Sequence, residues 1–123
     1  MSTIKANTLL HSDGSTTTQP SIPALDQRMA KAWVSFNGQG TVAIKDSYNV
    51  SSITDGGVGD YDVSFTVPMS DANYCTVTNN RAGTHYSGTH YGWNTAAKFK
   101  LATYNHSNVN TDSDTVEATV YSN

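Results

Sequence analysis

The chain has 123 residues, of which 14% are charged and 37% apolar, with a formal net charge of -3; that length suits one domain around one hydrophobic core. Seven Lys and Arg scattered among ten Asp and Glu form no basic stripe, which argues against nucleic-acid binding, an affinity that rests on clustered cations facing phosphates. The apolar runs are far shorter than the roughly 20 residues a membrane-spanning helix needs, so no membrane insertion is expected.

The opening MSTIKANTLLHSDG carries a lysine but no apolar stretch of signal-peptide length, and synthesis and folding in a cytoplasm are expected. Residues 1–31 read as an extended N-terminal arm: HSDGSTTTQPSIP has two prolines, a glycine and a Ser/Thr cluster without a periodic apolar face. A segment of that composition buries too little by itself to offset its conformational entropy. It is therefore expected to lie on a partner, with Ile4, Leu9 and Leu10 as the apolar contacts.

Towards the end of the arm, SIPALDQRMAKAW offers Ser21 as an N-cap, Pro23 in the first turn, and Leu25 and Met29 at helical spacing. This predicts either about two turns of helix or a short turn capping the sheet. A helix that short is marginal alone, but copies packed about an axis would bury Ile22, Leu25 and Met29 together.

From Ala32 the pattern changes to period two. AWVSFN, TVAIKD, YNVSSIT, YDVSFTV, YCTVT, KFKLATY and TVEATVY each alternate as half-buried strands do, with further strand expected across the repeated Thr-His-Tyr. Turn signals stand between them at 37–40, 45–48, 55–60, 68–73, 79–83 and 105–114. Residues 32–123 are thus expected to be all-β, an antiparallel β-sandwich or small barrel. Cys75 is the single cysteine; it can form no internal disulfide, and with no base beside it YCTV predicts a small core residue rather than a reactive thiol.

The stretch THYSGTHYGW, residues 84–93, holds two of the four histidines. A zinc site needs three or four converging ligands, and His85 and His90, five apart, face opposite sides of a continuous strand. A turn at Ser87 and Gly88 would pair them in a hairpin and still supply only two ligands. No G-x-S-x-G and no Cys-His pairing is present. The carboxylate pairs Asp60/Asp62 and Asp112/Asp114 sit beside Gly, Ser or Asn, where Asp usually bonds the local backbone of a turn. No catalytic residue, metal or cofactor is expected. The remaining readings are a hairpin stabilised by aromatic pairs and a recognition surface of His85, Tyr86, His90, Tyr91 and Trp93, since rigid amphipathic rings give contact area at small entropic cost.

The run RMAKAWVSFNGQGTVAIKDSYNVSSITDGGVGDYDVSFTVPMSDANYCTV, residues 28–77, resembles a module of structural proteins from tailed phages, cyanophages especially. KFKLATYNHSNVNTDSDTVEATVYSN resembles its closing strands, and STIKANTLL the start of many such proteins. The resemblance implies a virion protein without enzymatic activity, oligomeric, at the virion surface after assembly in a host cytoplasm; packing of copies about a threefold axis would protect the edge strands, so a homotrimer is expected. Two positions fit it. One is a tail-fibre or adhesin-type module anchored through its arm, with a host surface glycan or protein as partner. The other is a capsid decoration protein whose arm binds the major capsid protein.

Overall fold

The computed structural model of the chain describes residues 1–15, 22–81, 85–89 and 93–123. Among the described residues eight strands run in order: β1 Ala32–Asn37, β2 Ala43–Tyr48, β3 Val50–Gly57, β4 Asp60–Phe65, β5 Cys75–Asn80, β6 Tyr86–Thr89, β7 Lys98–Tyr104 and β8 Val116–Tyr121. They form two antiparallel four-stranded sheets, ordered β2-β1-β8-β5 and β3-β4-β7-β6, packed face to face as a β-sandwich.

Period-two alternation supplies the core. Ala32, Val34 and Phe36 of β1 and Val116, Ala118 and Val120 of β8 point inward from one sheet. Tyr61, Val63 and Phe65 of β4 and Phe99 and Leu101 of β7 meet them from the other, with Met69 and Tyr74 completing the cluster. Phe36 and Tyr61 cross edge to face at 5.1 Å, a favoured geometry for buried rings.

The helix expected from Ser21 onward is one turn, α1 Pro23–Asp26. Ile22 stands at its N-cap without a side-chain acceptor, and Lys31 pairs with Asp26 beyond its end; Ser21 lies outside the described residues. Ile4, Leu9, Leu10, Ile22, Leu25 and Met29 are all exposed, and residues 1–15 contain neither helix nor strand.

Other expectations are corrected. The turn placed at 45–48 forms the last four residues of β2; the chain instead changes sheets at Asn49 alone, in the left-handed region at φ 54°. Asparagine tolerates that conformation better than most residues. Its amide also donates to the Lys31 and Val67 carbonyls at 3.0 Å each and accepts the Val67 N–H at 2.7 Å. Asp60 and Asp62 lie on β4 rather than in a turn. Cys75 is exposed, because β5 turns Cys75, Val77 and Asn79 outward.

The register gives the sandwich two distinct ends. At one, the Lys31 N–H donates to the Val120 carbonyl at 2.8 Å and Cys75 stands opposite Tyr121; residues 1–31 join the domain here. At the other, the Gly38 N–H donates to the Ser113 carbonyl at 2.9 Å. There the β3–β4 turn at Gly59 meets the 105–115 loop, where Asp112 Oδ1 accepts the Gly59 N–H at 2.7 Å.

Candidate functional site

The sequence-predicted contact residues divide. His85, Tyr86 and Trp93 are described; His90 and Tyr91 lie outside the described residues. Ser87 and Gly88, the pair expected to form a hairpin tip, are the middle of β6, because Tyr86, Ser87, Gly88 and Thr89 ladder against Tyr104, Thr103, Ala102 and Leu101. β6 is therefore a short edge strand of the second sheet.

At the end away from the arm, Tyr86 stacks on Tyr104 at 5.3 Å with an interplanar angle of 26°, and its hydroxyl donates to Asn108 Oδ1. Asn108 takes a left-handed φ of 60° inside a turn that the Asn105 side chain ties back to Ser107 and Val109. The Tyr86 ring is thus held from two sides while remaining 44% exposed. His85 Nδ1 lies 3.1 Å from Ser113 Oγ, and Ser113 is fully buried, so the imidazole is anchored at the closed end of the sandwich.

Trp93 is 60% exposed and carries the Lys100 ammonium over its ring at 4.8 Å, a favourable cation–π distance. Lys100 also pairs with Asp60 at 2.9 Å, a hydrogen bond that raises the lysine above its ordinary value. Lys98 pairs with Asp62 at 2.6 Å. These ladders place Asp60 and Asp62 on the outer face of the β4–β7 pair, each holding a lysine through its Oδ2. Among the described residues no group of three or more His, Cys, Asp or Glu is arranged to hold a metal.

A second feature escaped the sequence reading. Between the facing edge strands β5 and β6 the interior changes from apolar to neutral polar. By register, Thr76, Thr78 and Asn80 continue the inner face beyond Val120, Ala118 and Val116. Ser87 continues it beyond Thr103, itself fully buried, and β5 and β6 pack against each other. The Tyr74 hydroxyl lies 3.0 Å from the Thr95 carbonyl and 2.9 Å from that of Lys98, tying the start of β7 to the residue that precedes β5. Among the described residues, five buried side-chain polar atoms lack a hydrogen-bond partner: Thr76 Oγ1 and Asn80 Nδ2 on β5, Ser87 Oγ on β6, Asn94 Oδ1 ahead of β7 and Asp60 Oδ1 on β4. The sequence signal was present in CTVTNN, where Thr, Thr and Asn occupy one parity and Cys and Val the other; it does not say which parity faces in.

The outer face of the first sheet shows the converse. Tyr48, Trp33, Thr119 and Val77 stand directly opposite one another across all four strands, and Tyr48, Trp33 and Val77 are exposed. Compared with known proteins, the chain matches no family model, no curated protein and no solved structure.

Proposed function

We propose that this chain is a non-enzymatic structural module of a tailed-phage virion, of the tail-fibre or adhesin type, anchored through residues 1–31 and binding a host surface through its far end. The observation that carries this reading is the separation of the two ends. The N-terminal segment enters beside Val120, whereas Tyr86, Tyr104, Asn108 and His85 gather where β6 begins and β7 ends. A protein fastened by its arm would present those rings outward, and several copies would turn weak single-site contacts into useful avidity.

The module assembles as a homotrimer in this reading. Support comes from the row Tyr48, Trp33 and Val77 and from the exposed Ile22, Leu25 and Met29 of the arm, apolar surface of the kind that marks contact with other chains. Antibody-gold labelling of intact virions against residues 32–123 tests the proposal. Gold at the tail is the expected outcome; gold distributed over the head would replace it with the capsid decoration reading, in which exposed Ile4, Leu9 and Leu10 lie along capsid-protein seams.

A further inference from the structure

We infer that the cleft between the free edges of β2 and β3 receives residues 3–10 of a second copy of the chain, laid as an extended strand along β3. This deepens the homotrimer reading and rests on it for the number of copies.

The two flanks of the sandwich are closed differently. β5 and β6 pack against each other, whereas β2 and β3, joined through Asn49, touch much less. By register Ile44 lies opposite the inward Phe36 of β1, and Val50 and Ile53 lie opposite the inward Phe65 and Val63 of β4. With Val42 they form an apolar rim: Val42, Val50 and Ile53 are only partly buried against the core, and Ile44 is exposed. Apolar side chains aimed at a core but left at its margin have room for one more strand beside them. Of the two edges, β2 is interrupted at Lys45, which has no ladder partner and sends its ammonium to the Asp114 carbonyl and Thr115 Oγ1. β3 runs against β4 without a break from Ser52 to Asp55 and carries no lysine or proline to blunt its other side.

The N-terminal arm of the same sequence has the matching features. Among the described residues, the backbone of residues 1–10 makes no hydrogen bond, and Ile4 is 90% exposed; an extended segment of this kind satisfies its backbone by adding to a sheet edge. Stretched out, it carries Ile4, Ala6 and Leu10 on one side and Thr3, Lys5 and Asn7 on the other, with Leu9 alone breaking the pattern. The first side fits the rim of Val42, Ile44 and Ile53, and the second stays in water. Charge agrees. Asp46 on β2 and Asp55 on β3 pair with no cation among the described residues, each accepting one local backbone N–H, from Ser47 and Gly57. The Met1 ammonium and Lys5 pair with no carboxylate there either. Exposed ion pairs add little affinity, so these charges orient the segment while the apolar contact holds it.

The arm is rooted beside the cleft, since the Asn49 amide donates to the Lys31 carbonyl at 3.0 Å, yet Ile4, Leu9 and Leu10 of the same chain stay exposed. A neighbouring copy supplies the strand instead. One donor segment and one acceptor cleft per chain make a head-to-tail contact, which closes into a ring where the rotation allows. In a ring of three, every arm and every cleft is used once, and the free edge of β3 is covered in each copy.

The test compares the full chain with the double variant Ile4→Asp, Leu10→Asp, whose substitutions fall on exposed arm residues and spare the β-sandwich. Sedimentation velocity at micromolar concentration reads the oligomeric state, and amide hydrogen exchange reads the edge of β3. Wild type is expected to sediment as a trimer and the variant as a monomer. Those amides among Ser52, Ile53, Thr54 and Asp55 that do not bond to β4 should exchange roughly tenfold or more slowly in wild type than in the variant. Three results overturn the inference: a variant that remains a trimer; a monomeric variant whose β3 exchange equals that of wild type, which seats the arm elsewhere; or a wild-type monomer, whether or not its own arm protects β3. Failure here is separable from failure of the readings it rests on. A trimeric variant removes arm exchange and leaves the homotrimer, a wild-type monomer removes both, and neither result moves the gold label between tail and head.

Discussion

The hydroxyl of Tyr61 lies 3.1 Å from Asp112 Oδ1, although 51 residues separate them in the chain. The same oxygen accepts the Gly59 N–H at 2.7 Å, and the hydroxyl is also 3.0 Å from the Gly38 carbonyl. One buried phenol therefore fastens three loops at the end of the sandwich away from the arm. Tyr61→Phe keeps the ring contact with Phe36 and removes only the fastening. It should cost about 1 to 3 kcal/mol, the range for stranding a buried partner, read from urea unfolding monitored by circular dichroism.

The alkaline limb of stability should follow two tyrosines. Burial pushes the Tyr61 hydroxyl from 10.0 up to about 12, with the Asp112 charge adding to the rise, and burial does the same for Tyr74. The folded protein thus holds protons that the unfolded chain gives up first. Their contribution is whole below pH 10 and is lost as pH rises towards 12. Thermal melts across that window should show a falling melting temperature, and the fall should be shallower in Tyr74→Phe. An equal slope in the two proteins would assign the loss to other groups.

Gly59 is required for two reasons at once. Its φ of +64° lies in the left-handed region, and a Cβ there would stand 2.5 Å from the Thr103 carbonyl oxygen and 2.6 Å from the Thr111 nitrogen. Both neighbours are backbone, held by the Thr111 N–H donating to the Thr103 carbonyl at 3.0 Å, so they cannot move aside cheaply. Gly59→Ala should destabilise by at least about 2 kcal/mol, whereas Gly40→Ala, also left-handed but with open space around it, should cost only about 1 to 2 kcal/mol. Paired denaturation curves decide between steric and conformational cost.

Binding to host cells should depend on rings that do not hold the fold together. Trp93→Ala and Tyr86→Ala remove exposed side chains and leave the buried cluster intact. In the adhesin reading, each should reduce adsorption of the labelled protein to host cells about tenfold or more, the scale of an aromatic hot spot. Unchanged adsorption with both substitutions would move the contact away from the β6 edge.

Much of this architecture was legible in the alternation itself. AWVSFN and KFKLATY are β1 and β7 with no change of boundary, because both are flanked by neighbours in their sheets and the core pairs Val34 with Phe36 and Phe99 with Leu101 each fall on one parity. Edge strands were harder to read. In β5 the parity carrying Cys75 and Val77 faces outward, against the rule that the apolar side is buried, since the strand lies at the rim of the core where Thr and Asn can face one another. Asn49 turns the chain between sheets by itself, so KDSY, rich in turn formers, remains strand. DGGVGD spreads its glycines over the end of β3 as well as the turn. For Asp60 and Asp62 the deciding information is long-range: lysines on β7 pair with them and keep them on a strand.

The position of β8 has a consequence for how the chain is made. It is the last strand in sequence and yet lies between β1 and β5, hydrogen-bonded to both. Until Val116–Tyr121 has left the ribosome, β5 has no sheet to join and the inner side of β1 lacks Val116, Ala118 and Val120. The first sheet cannot close before nearly the whole 32–123 segment is available. Folding is governed by a pairing of Ala32 with Val120 that spans almost the whole domain, which places it among the slow, non-local β topologies that close in milliseconds to seconds. During that interval two edges stay unpaired, and the Thr- and Asn-rich inward side of β5, poor in apolar contacts, makes one of them a weak template for aggregation.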